Sequence, residues 1–165
     1  MGRFKQLLPY GKETVVGSVI SALKGGGVDR VTVILGHRAE EVEKVLVGQG
    51  VRTVVNVDYL SGMFSSVLCA VGQASGEEAL MLALGDQPQI TSEICRRVVD
   101  AFQTSDRGIV IPVFSGRRGH PIVIDLAKYG DEIMRLDGSE GLKPVVRGHP
   151  EDTLEIPFED DSILR

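Results

Sequence analysis

Two spacings of apolar residues alternate along this chain. In ETVVGSVISALKGGG, Val15, Val16, Val19, Ile20 and Leu23 recur at helical spacing, and the glycine run from Gly25 stops the helix. RVTVILG is a short β-branched run with the character of a buried strand. AEEVEKVLVGQG returns to helical spacing, with Val42, Val45 and Leu46 on one face, and VRTVVNV is again a strand. SGMFSSVLCAVGQAS predicts a helix that begins after Ser61-Gly62, and EALMLALGD predicts an apolar strand ending in Gly-Asp. TSEICRRVVDAFQTS predicts a helix capped by Thr91 or Ser92. GIVIPVF and HPIVID are strands joined by the polar turn SGRRG, and two short helical pieces precede a last strand, TLEIPF. Strands alternating with helices predict a layered α/β fold with a mostly parallel sheet, to which the late hairpin adds an antiparallel element. Neither an internal repeat nor a low-complexity linker interrupts the pattern, so one domain over residues 1–165 is expected.

Composition narrows the function classes. The chain has 165 residues, 42% hydrophobic and 25% charged, which is ordinary globular composition. A net charge of -5 argues against nonspecific binding to DNA or RNA, so no nucleic-acid partner is expected. No apolar run reaches the roughly 18 residues that a membrane helix needs, so no membrane partner is expected either. Gly2 is compatible with myristoylation, but Gln6 stands where that motif wants Ser or Thr. Cys69 and Cys95 are the two cysteines, without a CxxC; both are expected to be reduced and near the core of a cytoplasmic protein.

Candidate chemistry collects at loop positions. LMLALGDQPQI places Asp86 at the carboxyl end of a strand, where ligands bind in open α/β sheets. Gly85 lets the backbone turn there, and a carboxylate so placed suits Mg²⁺. The plainer reading makes Asp86 a turn residue that caps the next helix. GKET resembles part of a P-loop, but the match fails: Gln6 stands where the first glycine belongs and Glu13 where Ser or Thr belongs. Lys5 and Lys12 remain as point charges for phosphate, or as solvated lysines. SGMFSS offers helix-start amides and the Ser65 and Ser66 hydroxyls to an anion or a ribose, or simply a serine cap. SGRRGHP offers Arg117 and Arg118 as a phosphate clamp or a solvated turn, and His120 as a base or hydrogen-bond donor, or simply a structural histidine. Asp137, beside Gly138, reads as a turn residue.

The order of these segments resembles one family. MGRFKQLLPYG is similar to the second half of the N-terminal signature of molybdopterin nucleotidyltransferases, in the glycosyltransferase-A-like nucleotidyltransferase fold. SGMFSSV resembles their Gly-Met-Ser-x-Ser segment, LGDQP their metal-binding Gly-Asp-Gln-Pro, and GRRGHPIVID their Gly-x-x-Gly-His-Pro strand. The four resemblances run in family order over most of the chain, and GDQP with GHP favours the molybdenum cofactor cytidylyltransferase branch. The resemblance implies a three-layer Rossmann-like fold and transfer of CMP from CTP to the terminal phosphate of molybdopterin, with pyrophosphate released. It implies Mg²⁺ on Asp86; Gly2, Lys5, Ser65, Ser66, Gly85 and Asp86 around the nucleotide; and Gly119 and His120 on the acceptor side. Lys5 and Asp86 would be the catalytic pair, with CTP or GTP and molybdopterin or its molybdenum cofactor as partners. Two other functions share these residues: a nucleotidyltransferase acting on a sugar or alcohol phosphate, and a noncatalytic binding module that partners a molybdoenzyme.

Two departures carry their own expectations. The family signature opens with an apolar strand and Leu-Ala-Ala-Gly-x-Ser-x-Arg, and this chain starts just after it. At the other end, the chain stops before the family's Asp-x-Asp-Thr-Pro-Glu-Asp. A natural start further upstream, a shortened chain, or a degenerate relative would each account for this, and weak or absent turnover is expected. A sheet without its central first strand would leave two unpaired edges, so compensation by a homodimer, strand exchange or sheet rearrangement is expected.

Overall fold

A computed structural model describes residues 4–164; the expectation on Gly2 lies outside them. The chain begins with a 3-10 turn, Lys5–Leu7, and a small hairpin, β1 (Pro9–Tyr10) and β2 (Glu13–Thr14). Helix α1 (Val15–Gly25) follows, capped by the Thr14 side chain, which accepts a hydrogen bond from the Gly17 amide. Then come β3 (Thr32–Leu35), α2 (Ala39–Leu46) and β4 (Arg52–Val55). Helix α3 (Met63–Gln73) leads to β5 (Ala79–Leu82) and α4 (Ser92–Thr104). Strands β6 (Ile109–Phe114), β7 (Arg117–Arg118) and β8 (Ile122–Asp125) form the late hairpin. Helices α5 (Leu126–Met134) and α6 (Lys143–Gly148) and strand β9 (Thr153–Pro157) complete the order.

Pairing is mixed, for one reason. β8 folds back from the hairpin and inserts between β5 and β6, antiparallel to both. β5 and β6 therefore run the same way, and β9 runs parallel to β6 on its other side. β3 and β4 pair in parallel as a separate ladder. Among the described residues no ladder joins β3 to β5, so the sheet is in two parts.

Helices cover both faces and make three layers. On one face α1 and α4 bury Val16, Val19, Ile20, Ile94 and Cys95, with Leu35 of β3 and Val42 of α2. They cross closely, because a Cβ at Gly26 would lie 2.3 Å from the Cβ of Cys95. On the other face α3, α5 and α6 pack Val71, Tyr129, Ile133 and Val145 on Ile109 and Ile111 of β6 and Ile124 of β8. Burial pushes the Cys95 thiol up to about 11, as a reduced core cysteine requires. β5 is different: Ala79, Leu80, Met81 and Leu82 are all apolar, yet each is only half-buried.

Candidate active site

Beyond β5 the backbone runs through Gly85 and Asp86 into a tight loop. The Gln87 amide donates to the Leu84 carbonyl at 3.2 Å, and the Ile90 amide to the Gln87 carbonyl at 3.2 Å. The loop is held from two sides: Ser18 of α1 donates to the Pro88 carbonyl at 3.3 Å, and Gln89 Nε2 to the Leu164 carbonyl at 3.1 Å. Thr91, not Asp86, caps α4, accepting from the Ile94 amide at 3.3 Å. Asp86 is a turn residue, as the plainer reading had it, but the capping half of that reading is corrected. Lys5 Nζ donates to Asp86 Oδ2 at 3.4 Å, linking two residues 81 positions apart. The Asp86 side chain is 14% exposed and that of Lys5 is 61% exposed. A pair this open contributes at most about 1 kcal/mol to stability; its interest is chemical.

Ser65 and Ser66 sit in the first turn of α3, after Gly62 in a positive-φ conformation that favours glycine. Ser65 Oγ donates to the Gly62 carbonyl at 2.8 Å rather than capping the helix from in front. A residue not singled out from the sequence organises both serines. Asn56, buried at the end of β4, donates from Nδ2 to Ser65 Oγ at 2.8 Å and Ser66 Oγ at 3.1 Å, and accepts from the Asp58 amide at 3.0 Å. Its signal was a polar amide inside the apolar run VRTVVNV. Gln87 was also passed over. It is 1% exposed, and neither its Nε2 nor its Oε1 has a hydrogen-bond partner among the described residues.

The GHP segment meets the end of the chain. The His120 amide donates to the Ile163 carbonyl at 2.9 Å, and the Gly119 amide to the Pro112 carbonyl at 2.8 Å. A Cβ at Gly119 would lie 2.2 Å from the Ile163 carbonyl oxygen, so this glycine has a packing reason as well as a candidate role. Of the two hairpin arginines, Arg118 pairs with Glu155 of β9 at 2.7 Å, which matches the solvated-turn reading. Asp137 is a turn residue as expected, accepting from the Ser139 amide at 2.9 Å.

Ser66, Gly85, Asp86, Gly119 and His120 all border one cleft of about 1900 Å³. Lys5 reaches its rim through Asp86, and Ser65 is held next to it by Asn56. Among the described residues no three His, Cys, Asp or Glu side chains gather as a metal-binding group. Asp86 offers a single carboxylate, a donor set that suits Mg²⁺ where phosphate and water oxygens supply the rest.

A three-layer fold with a carboxylate just past β5, a lysine of the first 3-10 turn in reach of it and a serine-bearing helix start suits a nucleotidyltransferase. The chain belongs to the MobA-like NTP transferase domain family, which matches residues 1–153. Nicotine blue oxidoreductase of Paenarthrobacter nicotinovorans is 30% identical over 156 residues, covering 88% of this chain and 74% of that protein. Among solved structures, the manganese complex of Rv0371c from Mycobacterium tuberculosis H37Rv has a TM-score of 0.80 at 28% identity, covering 96% of this chain and 84% of that one. A nucleotidyl transferase from Methanothermobacter thermautotroptrophicus has a TM-score of 0.78 at 27% identity, covering 94% and 75%.

Proposed function

We propose that this nucleotidyltransferase transfers CMP from CTP to the terminal phosphate of molybdopterin and releases pyrophosphate. The observation that carries the reading is the Lys5–Asp86 pair just past β5, bordering the same cleft as Ser66, which Asn56 holds together with Ser65 at the start of α3. An acceptor phosphate oxygen attacks the α-phosphorus in line. A new phosphorus–oxygen bond forms, the bond between the α-phosphorus and the bridging oxygen breaks, and pyrophosphate leaves with the electron pair. No side-chain nucleophile is needed, so the residues act by positioning and charge. Lys5 balances the negative charge that grows on the phosphates, and Ser65, Ser66 and the amides behind Gly62 hold the nucleotide. Gly119 and His120 line the acceptor side. Asp86 would hold Mg²⁺ or a related divalent ion, which supplies charge neutralisation at the phosphate oxygens; the manganese complex of the Rv0371c neighbour is in keeping with this.

Calorimetric titration with CTP and GTP, with and without Mg²⁺ or Mn²⁺, tests the binding half of this reading. Pyrophosphate release in the presence of molybdopterin tests the transfer. The expected outcome is metal-dependent binding that favours CTP, with turnover lowered about a hundredfold or more by Asp86→Ala. Release with a sugar or alcohol phosphate in place of molybdopterin would assign the other acceptor class. No triphosphate binding at all would make the chain a binding module. The name of the oxidoreductase relative calls for one more arm, NAD(P)H consumption, which is expected to be absent.

A further inference from the structure

β4 and β9 stand at the outer edges of the layered sheet, and the two edges differ. β9 is blunted in the manner of native edges. The Phe158 amide turns in to the Val113 carbonyl at 2.8 Å, so Pro157 holds an outward position, where it presents no N–H. Glu155 of the same strand is held in an ion pair by Arg118. β4 has neither a proline nor, among the described residues, an ion pair. It pairs with β3 alone. Arg30, just before β3, pairs with Glu77, just before β5, so β3 stands on the side of the cleft and β4 beyond it. The Arg52 amide donates to the Val31 carbonyl at 3.0 Å and the Asn56 amide to the Leu35 carbonyl at 2.7 Å, both towards β3. Successive residues of a strand alternate, so Thr53 and Val55 turn their N–H and C=O groups outward. Apolar side chains surround this bare edge: Val47 before the strand, Val55 within it, and Val57 and Leu60 after it are 77%, 51%, 81% and 86% exposed.

We propose that the outer edge of β4 is an interface between two copies of this chain, each adding its β4 to that of the other in antiparallel pairing about a two-fold axis. The backbone is self-complementary there. With Val54 of one copy opposite Val54 of the other, Thr53 of each exchanges both of its hydrogen bonds with Val55 of the second copy, which matches every outward group of the strand. The charges are self-complementary as well. Arg52 begins the strand and Asp58 lies just past its end, and among the described residues neither forms an ion pair. Antiparallel pairing brings each Arg52 to the end of the other copy that carries Asp58. The same operation carries the exposed Val57 and Leu60 of one copy towards the segment of the other that runs from Val47 into β4, so apolar surface meets apolar surface. A closed two-fold pair uses both edges up, whereas a foreign strand would match the backbone alone. Asn56, which follows the strand directly, keeps its amide on β3 and its side chain on Ser65 and Ser66, so the pairing leaves these hydrogen bonds as they are.

Sedimentation of the full chain over a range of concentrations tests this, with hydrogen exchange measured at the low and high ends of the range. The expected result is a reversible dimer in which the Thr53 and Val55 amides exchange about tenfold or more slowly than in the monomer, with no comparable change at residues 79–82 of β5. Val57→Asp changes a side chain that folding leaves exposed, and it is expected to weaken the dimer about tenfold or more. Arg52→Asp is expected to weaken it too, and the charge exchange, Arg52→Asp together with Asp58→Arg, to restore it. A monomer at every concentration, or a dimer in which the Thr53 and Val55 amides are unchanged, would overturn the proposal. So would a dimer that protects residues 79–82 instead, or one that both Val57→Asp and Arg52→Asp leave intact. The readout uses no nucleotide, so its failure is separate from any failure of the nucleotidyltransferase reading.

Discussion

Gly119 shows how a single residue can serve packing and chemistry at once. It lies in the GHP segment proposed for the acceptor side, and it also lets the Ile163 carbonyl approach to where a Cβ would be only 2.2 Å away. The neighbouring His120 amide fixes that same carbonyl. Backbone cannot give way as a flexible side-chain tip does, so Gly119→Ala is expected to destabilise the fold by about 1–3 kcal/mol, the usual cost of overpacking. Urea unfolding checks this; an unchanged midpoint would mean that the terminal turn is not held there. Asn56 is a residue-scale case of another kind. It uses Nδ2 and Oδ1 inside the protein and leaves the serine oxygens fixed in direction, which is what a preorganised binding site needs.

At the scale of elements, α5 is tied to the turn before β9 by one carboxylate. Tyr129 Oη donates to Asp152 Oδ2 at 2.5 Å, and Lys128 Nζ lies 3.1 Å from the same oxygen. Burial by itself pushes the Asp152 carboxyl up, but the Tyr129 hydroxyl, the Gly108 amide and Lys128 outweigh it and hold the group below the usual carboxylate range. Burial first, then the bond to Asp152, pushes the Tyr129 hydroxyl well above its ordinary value. The two shifts have opposite consequences. A lowered carboxyl contributes stability that is complete above the unfolded value, about 3.9, and is lost as pH falls through the folded value. A raised phenol means that the folded state keeps its proton longer, so stability declines as pH rises beyond about 10. Asp152→Asn is expected to cost about 1–3 kcal/mol near neutral pH and to flatten the acid limb. Urea midpoints measured across pH would show this, and parallel curves for the two proteins would contradict it.

Over the whole molecule, the divided sheet sets an uneven stability. Ile109, Val110 and Ile111 of β6 are buried between two helical layers and flanked by β8 and β9. The β3–β4 ladder has two strands, and an isolated pair of strands is marginal without packing from outside. Amides of β6 and β8 are expected to exchange slowest, and those of β3 and β4 about tenfold or more faster. Equal protection across all four strands would mean that the sheet behaves as one unit despite the gap. The candidate nucleotide site straddles this divide, with Asn56 and the serines reached through β4 and Asp86 through β5.

The sequence alone was enough for the succession of helices and strands. Apolar period, β-branched runs and glycine stops are local properties, and they marked α1, β3, β5 and the β6–β8 hairpin without tertiary information. It also marked Asp86, Ser65, Ser66, Gly119 and His120 as candidates, because loop residues at strand and helix ends are legible from punctuation and motif order. What it could not decide was partnership. Thr91 takes the α4 cap and leaves Asp86 to meet Lys5, Arg118 turns to Glu155, and Asn56 becomes the organiser of two serines. These pairings join residues far apart in the chain or choose between neighbours with equal propensity. Only the packed layers bring their atoms within hydrogen-bond reach, and burial then fixes which polar groups must find one another.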